Sequence, residues 1–175
     1  AIIAYILNSI AVTVDKLLLN KVVPDPLIYI FYISLISCLA LFALPLTHTP
    51  TTEVFLLASV STILWTLGAY FMFSALKVGQ ISRVIPVIGT LNPLILFAIA
   101  LLGSTITSNQ IWAVIFLILG MVFLIANDLK GKLTKNELTF EILSASFFAF
   151  SYLILKQAYL KEDVLTVLVW SRFVL

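Results

Sequence analysis

The stretch 82–107, "SRVIPVIGTLNPLILFAIALLGSTIT", decides the fold. It is apolar enough to cross a bilayer and long enough, since a helix rising ~1.5 Å per residue covers ~30 Å of hydrocarbon in about 20 residues. Yet Pro86, Gly89, Asn92 and Pro93 all fall in its first half. A proline inside a helix deletes one backbone hydrogen bond and crowds the carbonyl four residues back, at a cost of about 3 kcal/mol in water. In hydrocarbon the freed carbonyl has no water to turn to, so such a break must face neighbouring helices or a water-filled cavity. Gly89, Asn92 and Pro93 therefore predict a kinked or partly unwound helix whose carbonyls and Asn92 amide line a polar path. The competing reading is a kink that only helps helices pack.

The rest of the chain fits the same solvent. Of 175 residues 62% are hydrophobic and 10% charged, too little polar surface to coat a soluble globule. The apolar residues fill long runs instead of alternating, which implies helices and not barrel strands. The fold class expected is an all-α integral membrane protein, a polytopic bundle of about seven transmembrane helices, multi-pass in the cell membrane. Seven apolar segments can be marked, near 2–22, 26–46, 54–76, 83–103, 109–128, 139–160 and 164–175. Their short links make successive helices antiparallel neighbours. The chain starts without methionine and ends inside an apolar run, so both ends are expected to be cut and no cleaved signal peptide is expected.

Charge placement gives an orientation. Lys16, Lys21, Lys77, Arg83, Lys130, Lys132 and Lys135 fall on the side shared by the first, third and fifth links. The rule that basic loops stay cytoplasmic then puts the first residue outside. An internal echo relates 9–34 to 146–172: Lys16 matches Lys156, Lys21 matches Lys161, Asp25 matches Asp163 and Tyr32 matches Trp170. A unit of five spans, an odd number, re-enters the membrane from the opposite face. Such inverted repeats place a binding site at their interface. The units would be 1–136, the first five-helix repeat, and 137–175, the truncated start of the second.

Within the spans, Asn8, Ser9, Thr13, Asp15 and Lys16 form a polar stripe on the first helix. Intramembrane charges cost roughly 2.5 to 3.5 kcal/mol each on insertion scales unless paired or wet. Lys16 is close enough to the helix end to snorkel, whereas the shorter Asp15 is expected to pair with a cation or to border water as a proton-coupling site. Trp65 and Tyr70 are either packing aromatics or substrate contacts. Ser144, Ala145, Ser146, Ala149 and Ser151 offer a small-residue surface for close helix packing.

Catalytic constellations are missing. The single histidine, His48, has no partner at metal-ligand spacing and reads as a loop residue, the single Cys38 reads as a small hydrophobe, and no nucleophile elbow, zinc-protease motif or phosphate-cradling loop occurs. No catalytic role, cofactor or metal is expected. No basic run with interleaved aromatics suggests nucleic acid.

The run 73–125 resembles the central part of EamA-type proteins of the drug/metabolite transporter superfamily. Ala75, Leu76, Lys77, Pro93, Gly103, Thr107, Gln110 and Gly120 fall into the family pattern, and Lys16 and the "LVWSRFVL" segment with Arg172 look like starts of its two repeats. Ser104, Ala113 and Ser34 depart from it, standing where the family has Glu, Gly and Arg. The resemblance implies a ten-helix fold of two inverted five-helix repeats and secondary active transport of small metabolites by alternating access, as an exporter. The residues expected at the substrate or pore are Asn8, Asp15, Lys16, Trp65, Tyr70, Asn92, Pro93 and Arg172. The partners expected are a small-molecule substrate, the lipid bilayer and a coupling proton or sodium ion, with a homodimer allowed. Two other readings stay open: a non-transporting membrane scaffold subunit, and a flippase for a lipid- or sugar-linked substrate.

Overall fold

The computed structural model describes residues 2–103, 107–126 and 134–175. The described residues form helices and no strand: α1 (Ile2–Lys21), α2 (Pro26–Ser37), α3 (Thr52–Val78), α4 (Ile81–Leu101), α5 (Ser108–Ile125), α6 (Lys135–Tyr159) and α7 (Val164–Ser171). Two of them tighten into 3₁₀ turns at their ends, α2 over Cys38–Leu46 and α7 over Arg172–Val174.

Side chains at the starts explain where most of these helices begin. Asp25 accepts from the amide of Leu27 at 2.8 Å, with Pro26 in the first helical position, where its missing N–H is not needed. Asp163 does the same for α7 through the Thr166 amide at 2.9 Å. Thr51 and Thr134 cap α3 and α6, and Thr107 with Gln110 forms a capping box on α5.

Among the described residues five helices are long and apolar enough to cross a membrane: Pro26–Leu46, Thr52–Val78, Ile81–Leu101, Ser108–Ile125 and Lys135–Tyr159. The first helix, carrying Asn8, Asp15, Lys16 and Lys21, and the eight-residue α7, ~12 Å long, are not among them. Lys130 and Lys132, counted for the orientation, lie outside the described residues, as does Ser104.

The third helix is the hub, and α6 packs along it through small residues. Ser144 donates to the Gly68 carbonyl at 2.9 Å, and Ser61 and Ser151 exchange hydrogen bonds with each other's carbonyls at 3.0 and 2.9 Å. Ala145 and Ala149 are fully buried beside them. Gly68 is required by this approach, because a Cβ there would lie 2.8 Å from the Phe148 ring. Ser146 departs from the expected small-residue surface: it is half-buried and bonds back to the Ile142 carbonyl of its own helix.

The fourth helix packs against α6 and carries α5 on its outer side. Phe116 and Phe123 of α5 are 67% and 83% exposed, an apolar face suited to acyl chains. One expectation about α4 is corrected: it is not unwound but runs unbroken through Pro86 and Pro93. Proline's fixed φ is compatible with a helix. What each proline removes is a donor, so Ser82 and Gly89 cannot receive the amide bond normally given four residues on.

Candidate functional site

A cavity of about 490 Å³ lies where α1 stands off from α4. Four of the residues singled out in the sequence line it together: Asn8 and Asp15 of α1, Trp65 of α3 and Asn92 of α4. Aromatic and apolar groups complete the wall, among them Phe73, Phe148 and Tyr152. Gly89 also faces it, and no atom lies within 4 Å of where its Cβ would be. The carbonyl that Pro93 cannot bond therefore belongs to a cavity residue. A second space of about 520 Å³, lined by Asn8, Ser9, Thr13, Ser82 and Pro86, adjoins it through Asn8, Val12 and Ile85. The second proline repeats the arrangement there, freeing the carbonyl of Ser82.

The polar groups on this cavity are mixed: the Asn8 and Asn92 amides and the Tyr152 hydroxyl can donate or accept, the Trp65 indole donates, and the Asp15 carboxyl supplies acceptors. Asp15 takes a hydrogen bond from the Tyr29 hydroxyl at 2.6 Å through one of its oxygens. The Asn92 carbonyl oxygen is shielded from solvent and has no hydrogen-bond partner among the described residues. An unmet buried acceptor costs about 1–3 kcal/mol, which a turn of the Asn92 side chain toward a donor in the cavity would recover. Mixed polar groups set among aromatic rings suit a small solute with an apolar body and both donors and acceptors, and the Asp15 carboxyl favours an amine among the donors.

The other four expected site residues lie elsewhere. Pro93 is exposed and lines neither space; its effect on the cavity runs through Gly89. Tyr70 is half-buried, with its ring against Phe71. Lys16 does not line the cavity. Its ammonium donates to the carbonyls of Leu76 and Gly79, the latter at 2.8 Å, at the C-terminus of α3, where a cation satisfies orphan carbonyls and the helix dipole. Arg172 borders a smaller space of about 130 Å³, and Trp65 and Tyr152 form a wall common to it and the central cavity.

Sequence reasoning missed a buried ionic cluster beside Lys16. Arg83, 4% exposed, grips Glu137, 1% exposed, with its Nε 2.8 Å from one carboxylate oxygen and a terminal nitrogen 2.9 Å from the other. A Cβ on Gly79 would collide with that carboxylate and with Val84, so glycine is needed where α3 turns into α4. One turn further along α6, Glu141 is fully buried. Arg83 reads as a loop charge in the sequence, and Glu137 as part of a link. Glu141 was the available signal, a charge inside an apolar run.

At the opposite end of the bundle His48 is not the isolated loop residue its spacing suggests. It bonds Glu162 at 2.7 Å and lies 3.7 Å from Asp163. The Glu162 hydrogen bond raises the imidazole above its ordinary value. The Thr166 amide holds Asp163 below the usual carboxylate range. Beside them Lys161 pairs with Glu53. Compared with protein-family models, curated proteins and solved structures, the chain matches none of them.

Proposed function

We propose that the chain is part of a secondary active transporter that exports small metabolites, such as amino acids or related organic solutes, across the cell membrane. The observation that carries this reading is a cavity within the helices lined together by Asn8, Asp15, Trp65 and Asn92. A cavity of this size fits a metabolite, and the Asp15 carboxyl on its wall favours a solute bearing an amine. Alternating access between inverted repeats 1–136 and 137–175 is the mechanism proposed, with a proton or sodium gradient as the drive.

The internal echo supports the repeat. Asp25 and Asp163, matched in the sequence, both cap the helix that follows, and the links 22–25 and 160–163 have the same length. The resemblance to EamA-type transporters points to the same architecture. Flux of labelled amino acids into proteoliposomes, under imposed proton and sodium gradients, tests the proposal. Wild-type flux that Asn92→Leu and Asp15→Asn abolish is expected. No flux of any broad metabolite pool under either gradient would overturn it.

A second reading is a scaffold subunit. It is favoured by the exposure of Asn8, Ser9 and Thr13, since α1 makes its main contacts with α3. A stoichiometric copurifying partner, lost when these three are made apolar, would select it.

A further inference from the structure

Glu141 is a buried carboxylate in a helix long and apolar enough to cross a membrane, and neither of its oxygens has a hydrogen-bond partner among the described residues. It lies four residues, ~6 Å of helix, beyond Glu137 on the same face of α6. The cations nearby have other partners. Arg83, from α4, holds Glu137 through both carboxylate oxygens. Lys16, from α1, gives its hydrogen bonds to Leu76 and Gly79.

The charges around Glu141 come from each packed element. Glu137 on its own helix and Arg83 from α4 are within electrostatic reach of it, and Lys16 acts on Glu137. The third helix carries an exposed Lys77 near its end. The fifth helix has no charged residue between Ser108 and Ile125. An ionised carboxylate with neither water nor a donor is far costlier to bury than the neutral acid.

We propose that Glu141 is a proton-binding site, a neutral carboxylic acid in the conformation described here. It releases its proton to water, leaving the carboxylate, when a movement of α4 against α6 brings water or a donor to it. Arg83 is the nearest such donor by position, since Glu137 and Glu141 offer it two carboxylates one turn apart.

The test uses the full-length protein in lipid nanodiscs, labelled with ¹³C at the glutamate side-chain carboxyl. This sequence has four glutamates, Glu53, Glu137, Glu141 and Glu162. One carboxyl in the protonated form at near-neutral pH is expected, and its signal should disappear in Glu141→Gln and persist in Glu53→Gln. If Glu141→Gln does not fold, Glu53→Gln, Glu162→Gln and Glu137→Asp, with the same change at every glutamate of the full-length protein outside these 175 residues, assign the signal by elimination. The proposal is overturned if every one of these carboxyls is ionised at that pH, if the protonated signal survives Glu141→Gln, or if it moves with sodium at constant pH.

That this proton is the one exchanged during transport rests on the transporter reading above. Glu141→Gln should then make flux insensitive to an imposed proton gradient. A protonated Glu141 in a protein without flux would defeat the transporter reading alone. Flux without that protonated carboxyl would defeat the proton site alone.

Discussion

The α3–α6 seam and the α1–α4 face are built from similar polar residues and end up in opposite conditions. On the seam, Ser61, Ser144 and Ser151 are buried and every hydroxyl has a carbonyl to bond. Gly68, Ala145 and Ala149 let the two backbones approach closely enough for that. Across the α1–α4 face, Asn8, Asp15 and Asn92 border open space, and the Asn92 oxygen has no partner. A polar residue in a membrane helix therefore does not mark a site by itself. What marks one is a polar atom whose partner the fold leaves out.

The sealed half should break first, at its charged end. Glu137→Ala leaves the Arg83 guanidinium buried without its carboxylate, which should cost about 3–5 kcal/mol in thermal or denaturant unfolding in detergent. A loss below about 1 kcal/mol would mean that the pair is not buried as described. Next, Gly68→Ala drives a methyl into the Phe148 ring and should cost about 1–3 kcal/mol, with much of it recovered when Phe148→Leu is added. Additive effects of the two substitutions would contradict that contact.

Smaller still, Ser61→Ala and Ser151→Ala should each cost about 0.6 kcal/mol and at most about 1.7 kcal/mol, as interhelical hydrogen bonds in membranes do. A double-mutant cycle should give a coupling between them, and independence would show that the serines do not meet.

On the open face the sign should reverse. Asn92→Leu removes an acceptor with no partner and should leave stability unchanged or raise it by up to about 1 kcal/mol. A loss comparable to Gly68→Ala would mean that Asn92 is packed and the face is closed.

The smallest effect belongs to His48, the chain's single histidine. Its hydrogen bond to Glu162 raises the folded-state pKa above the unfolded one. The stabilisation is thus fully present below the histidine's ordinary value and is lost as pH rises through the raised one. Titration of the imidazole by NMR should show the value fall in Glu162→Gln. An unchanged titration would exclude the contact.

Helices were legible in the sequence because composition and run length fix them, and their boundaries fell within a few residues of the expected ones. The caps by Asp25 and Asp163 could be read as matched positions, though not as caps. Asn8, Asp15, Trp65 and Asn92, which line one cavity, stood out in the sequence because an amide, an acid or an indole inside an apolar helix has few inexpensive environments. Tyr70 and Pro93 were not: which side of a helix meets a neighbour depends on packing, and the structure turns Pro93 outward and Tyr70 onto Phe71. The Arg83–Glu137 pair joins residues far apart in sequence, each near a helix end where a charge ordinarily meets water. Nothing local to either position reveals the other.

The Lys16 contact with the end of α3 has a mechanical consequence. Beside the Arg83–Glu137 pair, which ties α4 to α6, it ties α1 to α3 on the same side of the bundle. For as long as α4 stays on α6, a widening of the gap beside Asn8 would be a swing of the N-terminal half of α1 about Lys16, with that residue as the fulcrum and the far rim travelling farthest.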